Sequence, residues 1–249
     1  MAALQAKARV AVGLSKRRSE GALTQLSIVM PVLNEGEGIV AALDALQDLR
    51  ALGVEVIVVD GGSRDATVPR ARLRADRVIA TARGRALQMN AGAERARGDV
   101  LLFLHADTRL PPAAEHAVLN GLARSGRVWG RFNVQIAGPH PLLPIVAWLM
   151  NVRSCLTGIA TGDQAIFVNR DAFQLAGGFP AIALMEDIVL SKRLKRSGRP
   201  LCLSERVVTS GRRWQQHGVY ATVWLMWHLR LAFFLGADPA DLARQYGYD

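Results

Sequence analysis

The chain has 249 residues, half of them apolar and 21% charged, with a formal net charge of +10. That composition excludes an intrinsically disordered chain and is sufficient for one sizeable hydrophobic core. The basic balance favours a polyanionic partner: nucleic acid, anionic lipid or a phosphorylated small molecule.

Residues 1–25 carry Lys7, Arg9, Lys16, Arg17 and Arg18 against a single acid, Glu20. Lys7 and Arg9 interrupt the apolar run that a signal peptide needs, so the stretch reads as a flexible basic tail. From Leu26 to about residue 124, two kinds of segment alternate. Leu26–Val32, 54–60, Arg77–Ala80 and 100–105 are short, apolar and β-rich; 36–49, 64–74, 84–97 and 111–124 have helical spacing. Near-continuous apolar strands alternating with helices predict a mostly parallel sheet covered on both faces, an α/β fold. Beyond residue 124 the rhythm changes. A strand over 128–136, a helix over 139–153, a strand over 165–169 and a helix over 185–197 follow. A long apolar helix over 219–235 and a short one over Pro239–Tyr246 end the chain. No stretch has the uncharged length of a membrane-spanning helix, because His228 and Arg230 interrupt 219–235. Cys155 and Cys202 form no metal-type pair or disulfide framework, and read as two reduced, packed thiols of a cytoplasmic protein.

Open parallel sheets bind ligands beyond the carboxyl ends of their strands. Three acids reach that edge from three strands: Glu35 after the first, Asp60 at the end of the second and Asp107 after the fourth. Each could simply cap a turn, as Asp60 before Gly61-Gly62-Ser63 illustrates. Together they repel one another, a cost that a divalent cation or a donor-rich ligand would offset. Arg83-Gly84-Arg85 opens a predicted helix nearby, a position suited to an anion. The glycine spacing of a dinucleotide-binding loop does not occur after the first strand, and no P-loop string occurs anywhere.

Five strings in register carry a resemblance: SIVMPVLNE (27–35), VIVVDGGSRDAT (56–67), GRALQMNAG (84–92), GDVLLFLHADT (98–108) and MEDIVLSKRL (185–194). Together they resemble the family 2 glycosyltransferases of GT-A fold over about residues 26–215. FLHADT, GDQAIFV, LMED and SGRRW further resemble a small bacterial subgroup described as arsenosugar-biosynthesis or selenodomain-associated glycosyltransferases. The resemblance implies a Rossmann-like sheet with an elaborated C-terminal half, and a nucleotide-diphosphate sugar as donor, with a uridine nucleotide favoured. It implies inverting transfer assisted by Mg²⁺ or Mn²⁺, to an acceptor it leaves open. Residue by residue, Pro31, Asn34, Glu35 and Asp60 would embrace the nucleoside. Arg83, Arg85, Arg213 and Trp214 would lie along the diphosphate, with Arg212 beside them. Asp107 matches the last acid of the family's D-x-D metal motif, whose first acid is here His105, a second candidate ligand. Gly162, Asp163, Gln164 and Glu186 would line the acceptor side, and Asp187 would be the general base.

Two alternatives stay open: a nucleotide-sugar binding protein without turnover, and a nucleotidyltransferase. Asn34-Glu35 stands where the latter would carry a glycine-rich basic loop. Nucleic-acid binding has no interleaved basic and aromatic motif to support it. Residues 216–249 read as a helical extension, packed on the domain or resting peripherally on an anionic membrane surface; its spacing favours core packing, while the basic tail and net charge favour the peripheral contact.

Overall fold

The computed structural model describes residues 25–247. Apart from Gln25, the basic tail predicted over 1–25 lies outside the described residues.

Eight strands form one sheet. They are β1 (Leu26–Val32), β2 (Glu55–Asp60), β3 (Arg77–Ala80), β4 (Val100–Phe103), β5 (Thr108–Arg109), β6 (Trp129–Ile136), β7 (Phe167–Asn169) and β8 (Leu201–Thr209). Their order is β3-β2-β1-β4-β7-β6-β8-β5. The first four pair in parallel, β7 runs antiparallel between β4 and β6, and β8 pairs in parallel with β6 and antiparallel with β5. Alternate residues of each strand point to opposite faces, and two cores result. Ile28, Met30, Val56, Val58 and Leu102 face one side. They pack against α1 (Ile39–Asp44), α2 (Gln47–Ala51), α3 (Thr67–Arg72), α5 (Ala114–Ser125) and α6 (Leu143–Thr157). Val29, Ile57, Val59, Leu101 and Phe103 face the other, against α4 (Arg85–Arg95), α7 (Arg170–Leu175) and α8 (Glu186–Leu194). The predicted mostly parallel α/β sheet, covered by helices on both faces, is what the chain forms.

Three departures have local causes. The helix predicted over 36–49 divides, because Leu43 O accepts from Leu46 N–H at 3.0 Å and from the Gln47 side-chain amide at 2.8 Å, in place of the ordinary backbone bond. The helix predicted from residue 64 starts at Thr67 instead; the Asp65 carboxylate takes the Thr67 N–H at 2.9 Å. β8 escaped prediction altogether. Its middle, Ser204-Glu205-Arg206, is exposed, and its register against β6 shifts at a bulge between Arg131 and Asn133, which hides the period-two signal.

A 3₁₀ turn at Gly162–Gln164 precedes β7, and α9 (Arg212–His217), α10 (Val219–Phe234) and α11 (Pro239–Tyr246) complete the chain. Leu229 of α10 and Leu242 of α11 pack on Leu184, Met185 and Ile188 at the start of α8, as a third apolar cluster.

Candidate active site

A cleft of about 310 Å³ opens beyond the carboxyl ends of β1 and β4. β1 contributes Pro31 and, just past it, Glu35; β4 runs into His105, Ala106 and Asp107. Arg85 comes from the first turn of α4, Glu186 and Asp187 from the first turn of α8, and Arg213 and Trp214 from α9. The loop before β7 adds Gly162 and Asp163. Segments remote in sequence thus meet on one wall.

Asp187 is held from two sides. Gly162 N–H donates to its Oδ2 at 2.9 Å and Ile188 N–H to its Oδ1 at 2.7 Å. Gly162 also lies under His105: a Cβ there would fall 2.5 Å from His105 Cε1. His105 Nδ1 stands 3.6 Å from Asp163 Oδ1. The short turn therefore couples the end of β4 to the start of α8. Its own conformation is anchored by Gln164, fully buried, whose amide donates to Ser154 Oγ at 3.0 Å and Asn151 Oδ1 at 3.2 Å of α6.

The acids of the cleft are shifted in different directions. Burial, then Asp187 beside it, pushes the Glu186 carboxyl above the ordinary range, against the opposing pull of Arg85 at 3.9 Å. Burial also raises Glu35, with Arg212 pulling it back and Asp107 and Asp65 adding to the rise. Burial would raise Asp163 as well, but the His105 imidazole 3.6 Å away and the charges of Arg85 and Arg230 outweigh that and hold it low. Asp107 is exposed, its carboxylate touched by Thr108 Oγ1 at 3.3 Å.

Five of the residues expected at the site do not line the cleft wall, the exposed Arg212 among them. The Asp60 carboxylate is buried and accepts from the N–H groups of Gly62 at 3.0 Å and Ser63 at 3.1 Å, so it builds the loop after β2. Asn34, in the left-handed region at φ 53°, ties that loop to its own by accepting from Arg64 N–H at 2.9 Å. Arg83 is exposed outside the cleft, and Gln164 faces α6. Arg213, though in the wall, has its guanidinium on Tyr246: it donates to the carbonyl at 2.6 Å and lies 3.6 Å from the ring centroid.

Other residues gave no sign of themselves. Gln88 is 4% exposed, and its amide donates to both Val32 O and Val59 O at 2.8 Å. It thereby satisfies two strand-end carbonyls below the cleft. Met226, Leu229 and Arg230 of α10 line the cleft. An arginine inside an otherwise apolar helix was the one available signal for them. The two thiols are not both packed as predicted: Cys155 is exposed and Cys202 half-buried.

Residues 27–144 match the family model described as glycosyl transferase family 2. No curated protein matches the chain significantly. Among solved structures, the chain is similar to S. aureus TarS 1–349 in complex with UDP-GlcNAc, at 16% identity and a TM-score of 0.59, over 75% of this chain and 58% of that one. It spans 36% of the longer TarS structure. The mannosyltransferase PcManGT from Pyrobaculum calidifontis, in complex with GDP-Man and Mn²⁺, is 20% identical with a TM-score of 0.59, over 94% of this chain and 74% of that one. Glucosyl-3-phosphoglycerate synthase from Mycobacterium tuberculosis, in complex with Mn²⁺, UDP and phosphoglyceric acid, gives 20% and 0.57, over 79% and 73%. The fold is of the GT-A type.

Proposed function

We propose that this chain is a glycosyltransferase that moves a sugar from a nucleotide-diphosphate donor to an acceptor hydroxyl, with inversion, while resting peripherally on an anionic membrane surface. The convergence of Asp107 and Asp187 on one cleft at the strand ends carries the first part of this reading. The family match over 27–144 and the nucleotide sugars bound by similar folds support it.

Asp187 takes the proton of the attacking hydroxyl. Its carboxylate is oriented by two N–H donors, which suits a base that must meet a proton in one geometry. Burial raises the neighbouring Glu186 carboxyl and so disfavours its charged form beside Asp187. Direct attack inverts the anomeric carbon. On the opposite side of the broken bond, negative charge grows on the diphosphate, and Arg85 is the cation positioned to meet it.

Asp107 fits a hard cation. It is an exposed carboxylate with one weak hydroxyl contact, an oxygen donor of the kind Mg²⁺ and Mn²⁺ prefer. Among the described residues no three His, Cys, Asp or Glu side chains converge to form a closed site, so donor phosphate oxygens and water would complete the shell. His105 is the weaker ligand, turned toward Asp163 and packed on Gly162. A bound cation would supply Lewis-acid stabilisation of the departing diphosphate.

A panel of nucleotide-diphosphate sugars with Mg²⁺ or Mn²⁺, scored for hydrolysis and transfer, tests this assignment. Asp187→Asn is expected to lower kcat by about 10²–10⁴-fold with donor binding retained. Asp107→Asn is expected to weaken donor binding and to raise the metal requirement. Full activity in both variants overturns the reading, and retention at the anomeric carbon overturns direct attack.

The membrane contact rests on α6 and α10. Ile145, Trp148 and Leu149 of α6 and Tyr220, Trp224 and Trp227 of α10 are all exposed. An apolar groove lined by Val146, Val219 and Val223 runs between the two helices. Among the described residues no helix is long and apolar enough to cross a membrane.

A further inference from the structure

The wall that α8 and α10 give to the cleft differs from the strand-end wall. Beside the carboxylates of Glu186 and Asp187 it is aliphatic, with Leu184, Ile188, Met226 and Leu229, and it carries one cation, Arg230. Arg230 makes no hydrogen bond or ion pair among the described residues. A second arginine supports it from α6. Arg153 has its Nε and Nη2 buried without a partner. Burial first, then the neighbouring Arg230, lowers the Arg153 guanidinium to about 10, with Asp187 opposing and Arg131 adding to the repulsion. Arg131 is itself 1% exposed and leaves its Nε unpartnered.

The nearby acids offset this cluster only in part: Arg230 helps to hold Asp163 ionised, and Asp187 helps to keep Arg153 charged. Glu186 is pushed toward its uncharged form, Asp163 is engaged with His105, and Asp187 is bonded to backbone N–H groups. Arg131 donates its other nitrogens to Asn133 and Asn151, so the unmet groups are mainly those of Arg153; buried guanidinium nitrogens without partners are costly, and native proteins rarely leave them so without a ligand or a function. A forked cation in an aliphatic wall recognises a phosphate or carboxylate, where loss of water strengthens the charge-assisted bond.

We propose, building on the transferase reading above, that the acceptor is anionic. Its phosphate or carboxylate is held by Arg230, with Arg153 as a second positive charge behind, and its hydroxyl is presented to Asp187. The acid group belongs either to a free phosphorylated molecule or to a lipid headgroup; the recognition chemistry is the same.

The full-length protein, saturated with UDP and Mg²⁺ so that the diphosphate site is filled, is titrated with glycerol 3-phosphate and with glycerol. Parallel arms use vesicles of phosphatidylglycerol and of phosphatidylcholine. Glycerol 3-phosphate is expected to bind at least about ten-fold more tightly than glycerol, a gap typical of one charge-assisted contact. Arg230→Gln is expected to remove that gain and Arg230→Lys to restore part of it. Arg153→Gln is expected to reduce it less; should that variant not fold, Arg230→Gln carries the test. Arg230-dependent binding of phosphatidylglycerol vesicles without binding of the free phosphate assigns the acid to a lipid. Anion binding that is independent of Arg230 in both arms, or no preference for the anion in either, overturns the proposal. A separate titration with a panel of nucleoside diphosphates distinguishes the two levels: wild-type protein that binds none of them removes the transferase reading, whatever the anion arms show.

Discussion

Glu186 and Asp187 are neighbours with opposite surroundings. Asp187 faces the cleft with two N–H donors on it; Glu186 is 4% exposed and burial raises its pKa. A folded-state pKa above 4.5 means the native protein binds more protons than the unfolded chain as pH passes upward through that window. Stability therefore falls as pH rises through the Glu186 titration. Glu186→Gln removes the ionisable group, so its melting temperature is expected to exceed that of the wild type at pH 8 and to match it near pH 4. A difference that does not change with pH would show that Arg85 compensates the buried charge fully. At this scale the sequence was a mixed guide. The strings around Asp107 and Asp187 marked residues that do share a cleft. Asp60 was grouped with the other rim acids, yet its carboxylate closes its own loop. The Gly61-Gly62-Ser63 that follows it had offered that turn-capping role as the alternative.

The elements were most legible where one physical rule governed them. β1, β2 and β4 are apolar on both faces because helices cover both, and that signal survives without any alignment. β8 was illegible because its bulge breaks the alternation, and the short β5 because pairing with β8 alone defines it. α4 is a stricter case. Gly92 sits where α4 crosses β1 and β2, and a Cβ there would lie 2.4 Å from Val29 Cγ1 and 2.9 Å from Val59 Cγ2. Helix propensity alone would make Gly92→Ala stabilising by up to about 1 kcal/mol. Overpacking against two fully buried valines opposes it by about 1–3 kcal/mol. The expected net outcome is a lower denaturation midpoint for Gly92→Ala; a midpoint at or above that of the wild type would mean that the helix shifts away from the sheet at little cost.

The whole molecule places its cleft and its exposed apolar face on one helix. α10 sends Met226, Leu229 and Arg230 into the cleft and presents Trp224 and Trp227, 75% and 68% exposed, on its outer side. The sequence could not separate core packing from interfacial contact for this helix, because a helix that does both has apolar residues all round it. Trp and Tyr rings suit the boundary between lipid headgroups and acyl chains. The net charge of +10 adds attraction to an anionic surface, and Lys192 lies 4.3 Å from the Phe234 ring centroid near the end of the same helix. The protein is therefore expected to float with phosphatidylglycerol vesicles at low ionic strength and much less with phosphatidylcholine. Paired Trp224→Ser and Trp227→Ser substitutions should abolish flotation while leaving UDP binding intact, since neither side chain lines the cleft. Raising the salt to about 0.5 M should weaken the wild-type interaction by screening. No flotation at low salt would remove the membrane contact. A dimer that the same two substitutions dissolve would reassign the face to a second copy of the chain.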